Sequence, residues 1–422
     1  MLIDTIIHHA AQLLTCASDY PKRGAAMRDV GIITDGAVAV DGGRIVAVGS
    51  STYIGQLYQA RTTIDASGKI VCPGFVDAHT QIVYVGDRAA EFELRIAGAS
   101  YLEIMAAGGG IVSTMRKVRA ASLDELVTEA RTRLNTMLAL GTTTVEIKTG
   151  YGLDLESELK MLRAIARLAE SHPITIIPTF MGAHTIPPEY HGRADAFTQY
   201  VIDTLIPAVA EWYRTSCFPT RLIPLFVDVA CEPNAFTCEQ SRRILVAGVA
   251  HGMRVKAHVD EAVSLGGTPM ALALGATSID HLDVTTAEDI AQLAQSATVG
   301  VILPVVNFNA GSSHFANARS IIDAGAALAL ATDYNPGAAP CPAMPLVMAL
   351  ACRYQRLLPA EAINASTINA AYAVDLGEHL GSIQVGKMAD LLVVHAPDYR
   401  YLAYQVGSNL VERVLKQGKI VV

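Results

Sequence analysis

Between residues 75 and 332 the chain alternates short apolar, β-branched runs with stretches whose apolar positions recur at helical spacing, the pattern of repeated βα units. Eight runs predict strands: Phe75 to Ala78, Thr143 to Lys148, Ile174 to Phe180, Leu225 to Val229, Val255 to His258, Thr277 to Asp280, Val299 to Leu303 and Leu328 to Thr332. Between them the spacing predicts helices over Ser122 to Leu140, opened by the capping-box signal Ser122-Leu123-Asp124-Glu125, and over Leu155 to Ala169. The expected fold is α/β, a TIM-type (β/α)₈ barrel.

Outside this region the pattern is of short strands and turns. Leu2 to Ile7, Ala37-Val38-Ala39-Val40 and Arg44-Ile45-Val46-Ala47-Val48 read as strands, the last two joined through Asp41-Gly42-Gly43, a hairpin signal. Ala389 to Val394 and Glu412 to Val422 give similar patterns after a long helical region. The two termini are therefore expected to pair as a small composite β-sandwich domain, residues 1–71 plus 383–422, beside a catalytic barrel over 72–382. Gly108-Gly109-Gly110, ahead of Ile111, predicts either a flexible loop near the barrel mouth or a simple turn.

Composition narrows the function. A chain of 422 residues suits an α/β barrel with an appendage. It is 51% hydrophobic and 17% charged, with a net charge of -8 and no Lys/Arg block, which favours a deeply cored enzyme for a small molecule over a nucleic-acid partner. No run of about 18 apolar residues offers a membrane span. Met1 to His9 carries no basic region ahead of its apolar residues, so a cytoplasmic protein is expected. Seven cysteines, odd in number and without a Cys-x-x-Cys pair, predict reduced thiols.

Candidate chemistry gathers where the strands end. Pro73-Gly74-Phe75-Val76-Asp77-Ala78-His79-Thr80-Gln81 delivers His79 to the end of the first strand, where barrels of this kind keep their catalytic groups. His258, with Asp260 and Glu261 behind it, follows the fifth strand, Asp280-His281 the sixth, and Asp333 the eighth. Singly, each is more often structural. Together, imidazoles and carboxylates converging on one mouth predict a divalent-metal site with a position open for water.

These residues resemble the amidohydrolase superfamily, whose composite β domain also matches the paired termini. Six finer motifs resemble the imidazolonepropionase family within it: Gly86-Asp87-Arg88-Ala89-Ala90-Glu91-Phe92-Glu93-Leu94-Arg95, Glu146-Ile147-Lys148-Thr149-Gly150-Tyr151-Gly152-Leu153, Gly182-Ala183-His184, His258-Val259-Asp260-Glu261, Asp280-His281-Leu282 and Asp333-Tyr334-Asn335-Pro336-Gly337. The resemblance runs from about residue 70 to the C-terminus. It implies a hydrolase that opens the ring amide of 4-imidazolone-5-propanoate to N-formimidoyl-L-glutamate in histidine degradation. It also implies one divalent or trivalent metal ion per chain, zinc or iron, and a homodimer. His79, Gln81, His258 and Asp333 occupy the metal positions. Glu261 matches the proton shuttle, and His281 and Asp333 match groups that orient the water or meet the developing oxyanion. Arg88 is the implied partner of the propionate, with Tyr151, His184, Asn335 and Gly337 as further substrate or product contacts. Lys148 ends the second strand, and a salt-bridged lysine beside one metal is preferred there to a carbamylated lysine bridging two.

The chain departs from the pattern twice. Gln81 stands where the family has the second histidine of His-x-His, and an amide oxygen is a weaker donor than imidazole, so metal affinity should fall. Ala338-Ala339 stand where a hydroxyl residue is common. Two other readings stay open: a related amidohydrolase for another small cyclic amide, and a metal-free, non-catalytic binding homologue.

Overall fold

In the computed structural model, which describes residues 1–99, 103 and 108–422, all eight expected barrel strands form. They are Phe75–Asp77, Thr142–Lys148, Thr175–Ala183, Phe226–Cys231, Arg254–Val259, Ser278–His281, Val299–Ile302 and Ala327–Leu330, numbered one to eight below. Each lies parallel to its neighbour in chain order. The predicted helices are present at Leu123–Ala139 and Leu155–Ser171. Ser122 and Glu125 make the reciprocal capping box, worth about 1 kcal/mol, and Asp154 caps the second helix through Ser157 N.

The ring closes only at its mouth. Thr80 and Tyr334, just past strands one and eight, form an isolated parallel bridge, reinforced by Gln81 N donating to Tyr334 O (2.9 Å) and Asp333 N to His79 O (3.1 Å). One layer below, the Asp77 carboxylate takes the place of a ladder, accepting from Thr332 N at 3.0 Å and Thr332 Oγ1 at 2.6 Å. Closure therefore brings His79 and Asp333 together.

Both termini build the sandwich. One sheet runs in the order Arg44–Ser50, Gly36–Asp41, Leu2–Ala10, Gln59–Asp65; the other runs Lys419–Ile420, Val411–Lys416, Leu391–Val394, Ile70–Pro73, Gln12–Leu14, Ile32–Ile33. Ile7, Val38, Val40, Val71, Leu391 and Val393 fill the space between them. The expected hairpin turns on Gly42 (φ 57°) and Gly43 (φ 78°). Residues Lys22 to Asp29 leave the sandwich and bind the barrel: Asn369 Nδ2 donates to Lys22 O, and Asn364 Nδ2 to Met27 O.

Chain passes from sandwich to barrel at Gly74. A Cβ there would lie 2.2 Å from Thr143 Oγ1, so no other residue lets strand one approach strand two this closely. Among the described residues, no helix is long and apolar enough to cross a membrane.

Candidate metal centre and substrate pocket

Because side chains alternate along a strand, every second residue points into the barrel, and here the inward set is charged. Strand two contributes Glu146 and Lys148, strand four Asp228, strand five Lys256 and His258, and strand six Ser278 and Asp280, all nearly or wholly buried. A TIM-type barrel is ordinarily filled by branched aliphatic layers. This interior instead holds a polar network beneath its mouth.

Three imidazoles crown that network. His79, His258 and His281 each bring a ring nitrogen to within 4.8 Å of the other two. His79 Nδ1 lies 2.7 Å from Asp280 Oδ2, and His258 Nδ1 lies 3.1 Å from Asp228 Oδ1. Carboxylates only accept, so each ring presents Nδ1–H to its partner and turns Nε2 toward the mouth. Asp333 Oδ1 sits 3.3 Å from His79 Nε2, close but not aligned for a hydrogen bond. His79 Nε2, His258 Nε2 and His281 Nδ1 are buried without a hydrogen-bond partner among the described residues. Orphaned imidazole nitrogens beside a carboxylate, with the far nitrogens of two rings already fixed by carboxylates, are a donor set that fits a zinc- or iron-type ion.

Electrostatics agree with that fit. Burial works against ionisation of Asp228 and Asp280, yet His258 and Lys148 hold the first, and Lys256 and Lys148 the second, well below the usual carboxylate range. Burial would raise Asp333 too, but His79, His281 and His258 keep it below its ordinary value. For His79, burial and Lys148 pull the pKa down while Asp280 and Asp333 more than offset them, bringing it to about 9, so an entering cation would displace a proton. Lys148 Nζ lies 2.8 Å from Glu146 Oε1, 2.7 Å from Asp228 Oδ2 and 3.5 Å from Asp280 Oδ2. Burial alone would lower this ammonium's pKa; the three carboxylates raise it far above its ordinary value. Lys148 is thus salt-bridged, and no free amine is present to carry a carbamate.

The backbone at the strand ends is strained in keeping with a functional mouth. Asp260, His281, Leu282 and Asp333 all have positive φ, 86° at His281. Asp260 itself faces away, accepting from Thr268 and Thr285. Glu261 stays at the rim with its side chain 41% exposed and Oε2 3.8 Å from His281 Nε2; its backbone N–H is held by Glu232 Oε1 at 2.8 Å.

A cavity of about 130 Å³ opens above the imidazoles, and Gln81, Arg88, Tyr151, His184, Glu261 and Asn335 all reach it. The Arg88 guanidinium is clamped by Glu91, through Nε at 2.8 Å and the terminal nitrogen at 2.6 Å. Gly337 sits against Arg88: a Cβ there would come within 2.0 Å of its NH1 nitrogen, so this glycine makes room for the guanidinium. Asn335 is committed to its own turn, donating to Asp333 O and accepting from Gly337 N and Ala338 N. Burial, then His258, lowers His184 to about 3, so the ring is neutral; Nδ1 donates to Gly150 O at 3.2 Å and Nε2 is left as an acceptor. Tyr151 OH donates to Gln81 Oε1 at 2.5 Å, and Gln81 Nε2 lies 3.6 Å from Met181 Sδ. Gly110, with φ 77°, opens the helix Ile111–Ala120, so the glycine run ends in a turn, and Ile111 reaches the cavity.

Several residues that shape this site were not singled out from the sequence. Glu158 accepts from Gly150, Gly152 and Leu153 N–H groups and so fixes the loop carrying Tyr151. Glu232 does the same for Glu261 and Ala262. Asp228 and Lys256 belong to the buried network. Their signal was a charge set between aliphatic neighbours inside a strand, as in Val227-Asp228-Val229 and Val255-Lys256-Ala257.

Comparison with known proteins places the chain. A profile of the Amidohydrolase family matches residues 235–421. Among solved structures, a zinc-bound adenosine deaminase from Xanthomonas campestris superposes with a TM-score of 0.72 at 20% identity, covering 99% of this chain and 93% of its own. The guanine deaminase of E. coli gives 0.72 at 15%, covering 99% and 98%. At these identities the likeness is one of fold. Much nearer in sequence are the imidazolonepropionases of Chloroflexus aggregans, 55% identical over 99% of this chain and 98% of the relative, and of Herpetosiphon aurantiacus, 52% identical over 99% and 97%. With that identity carried across its whole length, the chain belongs to the imidazolonepropionase family of amidohydrolases.

Proposed function

We propose that this protein hydrolyses the ring amide of 4-imidazolone-5-propanoate, giving N-formimidoyl-L-glutamate in histidine degradation. The observation that carries this reading is the meeting, in one small mouth, of a three-imidazole and carboxylate cluster with a clamped arginine, in a chain 55% identical to an imidazolonepropionase. Loss of imidazolonepropionate absorbance with purified protein tests it, with other small cyclic amides as competitors and metal content measured on the same sample. Turnover of another amide alone, or a metal-free inert protein, would decide for one of the two alternatives.

His79, His258 and Asp333 would hold the metal, with Gln81 beside them. When bound, such an ion supplies a nucleophile at neutral pH by lowering the pKa of water from about 15.7 toward 7. The chain's own groups do the rest. Arg88, preset by Glu91, receives the propionate and so fixes the ring over the imidazoles. Tyr151 and the neutral His184 offer a hydroxyl and an acceptor nitrogen to the ring. Glu261, at the rim with access to solvent, takes a proton from the attacking water and returns it to the leaving ring nitrogen as the C–N bond breaks. His281 meets the negative charge that develops on the carbonyl oxygen. Zinc or iron suits these donors, and the zinc in the Xanthomonas campestris deaminase favours the former. We place the enzyme in the cytoplasm, in keeping with seven unpaired cysteines, and as a homodimer, the state the family resemblance implies.

Arg88→Met is expected to raise KM about ten- to hundredfold, the cost of a charge-assisted hydrogen bond to the carboxylate, with a smaller change in kcat. A substrate analogue lacking the carboxylate should escape this penalty; equal losses for both would return Arg88 to a loop-supporting role with Glu91. Gln81→His is expected to tighten metal retention against a graded chelator series, because imidazole is the better donor and the other ligands need not move. Equal or weaker retention would mean that position 81 serves Tyr151 instead of the metal.

A further inference from the structure

We infer that Lys148 is a positioning residue for the metal centre: its ammonium bridges Asp228 and Asp280, and through them it fixes His258 and His79 with Nε2 facing the mouth. The inference rests on the metal-dependent reading above and assigns a role to a residue that touches neither ligand nor substrate.

The geometry is a two-armed brace. One arm runs from Lys148 Nζ to Asp228 Oδ2 (2.7 Å), across that carboxylate to Oδ1, and on to His258 Nδ1 (3.1 Å). The other runs to Asp280 Oδ2 (3.5 Å), the same oxygen that lies 2.7 Å from His79 Nδ1, while Ser278 Oγ occupies Asp280 Oδ1 at 2.7 Å. Lys148, Asp228 and Asp280 have no solvent-exposed side-chain surface, so no water substitutes for the ammonium. Lys256 supports the second arm alone, 3.6 Å from Asp280. Among the described residues, Lys148 is the cation that touches both carboxylates.

Removing the ammonium takes away what holds the carboxylates in place. Asp228 Oδ2 loses its 2.7 Å partner, so that carboxylate is no longer fixed in the orientation that sets Oδ1 against His258 Nδ1. Asp280 keeps only Ser278 and the more distant Lys256 at its two oxygens, so the His79 ring is held less firmly as well. The brace therefore aims two ligand rings at once.

The test is Zn²⁺ affinity of the folded protein, from competition with a graded chelator series, in Lys148→Met and in a matched control. Lys416→Met is that control: it also removes a buried ammonium, paired with Asp390 in the sandwich domain, and has no link to the histidines. Lys148→Met is expected to raise the Zn²⁺ Kd about 10- to 100-fold, as for loss of a group that orients a ligand, while Lys416→Met leaves it unchanged despite a comparable fall in Tm. If Lys148→Met does not fold, the double variant Glu146→Gln/Lys148→Met, which removes one carboxylate with the ammonium, is measured in its place with the same expectation. Parent-like affinity, or equal loss in the Lys416→Met control, overturns the inference. Failure of the parent itself to bind Zn²⁺ overturns the metal-dependent reading, and this inference with it, before any variant is made.

Discussion

Asp333→Asn is expected to abolish turnover, by about 10⁴-fold, while the protein stays folded. The side chain is nearly isosteric, and Asn accepts the positive φ of 51° that position 333 requires. The turn is also retained, because its hydrogen bonds use the Asp333 backbone: N–H to His79 O, and C=O from Asn335 Nδ2. What is lost is the anionic oxygen 3.3 Å from His79 Nε2, beside three imidazoles and able to balance a cation's charge. A neutral amide there weakens the metal site and removes a group that orders the water. Comparison of kcat/KM, metal content and Tm for parent and variant checks this. A variant turning over near the parent rate would show that Asp333 is not part of the centre.

Glu261→Gln should lower kcat by about 10² to 10⁴ and leave KM and metal content close to those of the parent, the signature of a lost acid/base group. The structure makes this variant easy to interpret. Glu261 is anchored through its backbone N–H to Glu232, so the loop stays in place, and its carboxylate makes only a loose approach to His281. Little stability depends on it. Unchanged kcat would reduce Glu261 to a solvated carboxylate at the rim.

Much of this site was legible in the sequence, because barrel strands buried on both faces appear as short apolar runs, and strands one, five, six and eight lead into His79, His258, His281 and Asp333. The expected strand Val255 to His258 is found at Arg254–Val259, and Val299 to Leu303 at Val299–Ile302. Less legible was the strand Gln59–Asp65, whose Gln-Ala-Arg-Thr-Thr-Ile-Asp carries one fully buried position; it is held by parallel pairing with Leu2–Ala10, an interaction that leaves no local pattern. The same limit applies to the polar interior. Glu146, Asp228 and Lys256 are visible as charges inside apolar strands, but which of them meet depends on strand stagger around the ring. Gln81 was legible as a departure, whereas its hydrogen bond to Tyr151 needed the loop that Glu158 holds.

The shared sandwich also bears on how the chain is made. Strand Ile70–Pro73 pairs with Leu391–Val394, more than three hundred residues later, and His79 meets Asp333 only when the last barrel strand arrives. At a synthesis rate of about 5–20 residues per second, the earlier strand leaves the ribosome roughly 15–60 s before its partner exists. Throughout that interval Ile70, Val71 and Cys72, all wholly buried in the finished protein, face solvent beside an open edge. A nascent chain stalled anywhere before residue 391 therefore presents an adhesive apolar strand to other chains and to chaperones, and truncation ahead of Leu391 would expose it permanently.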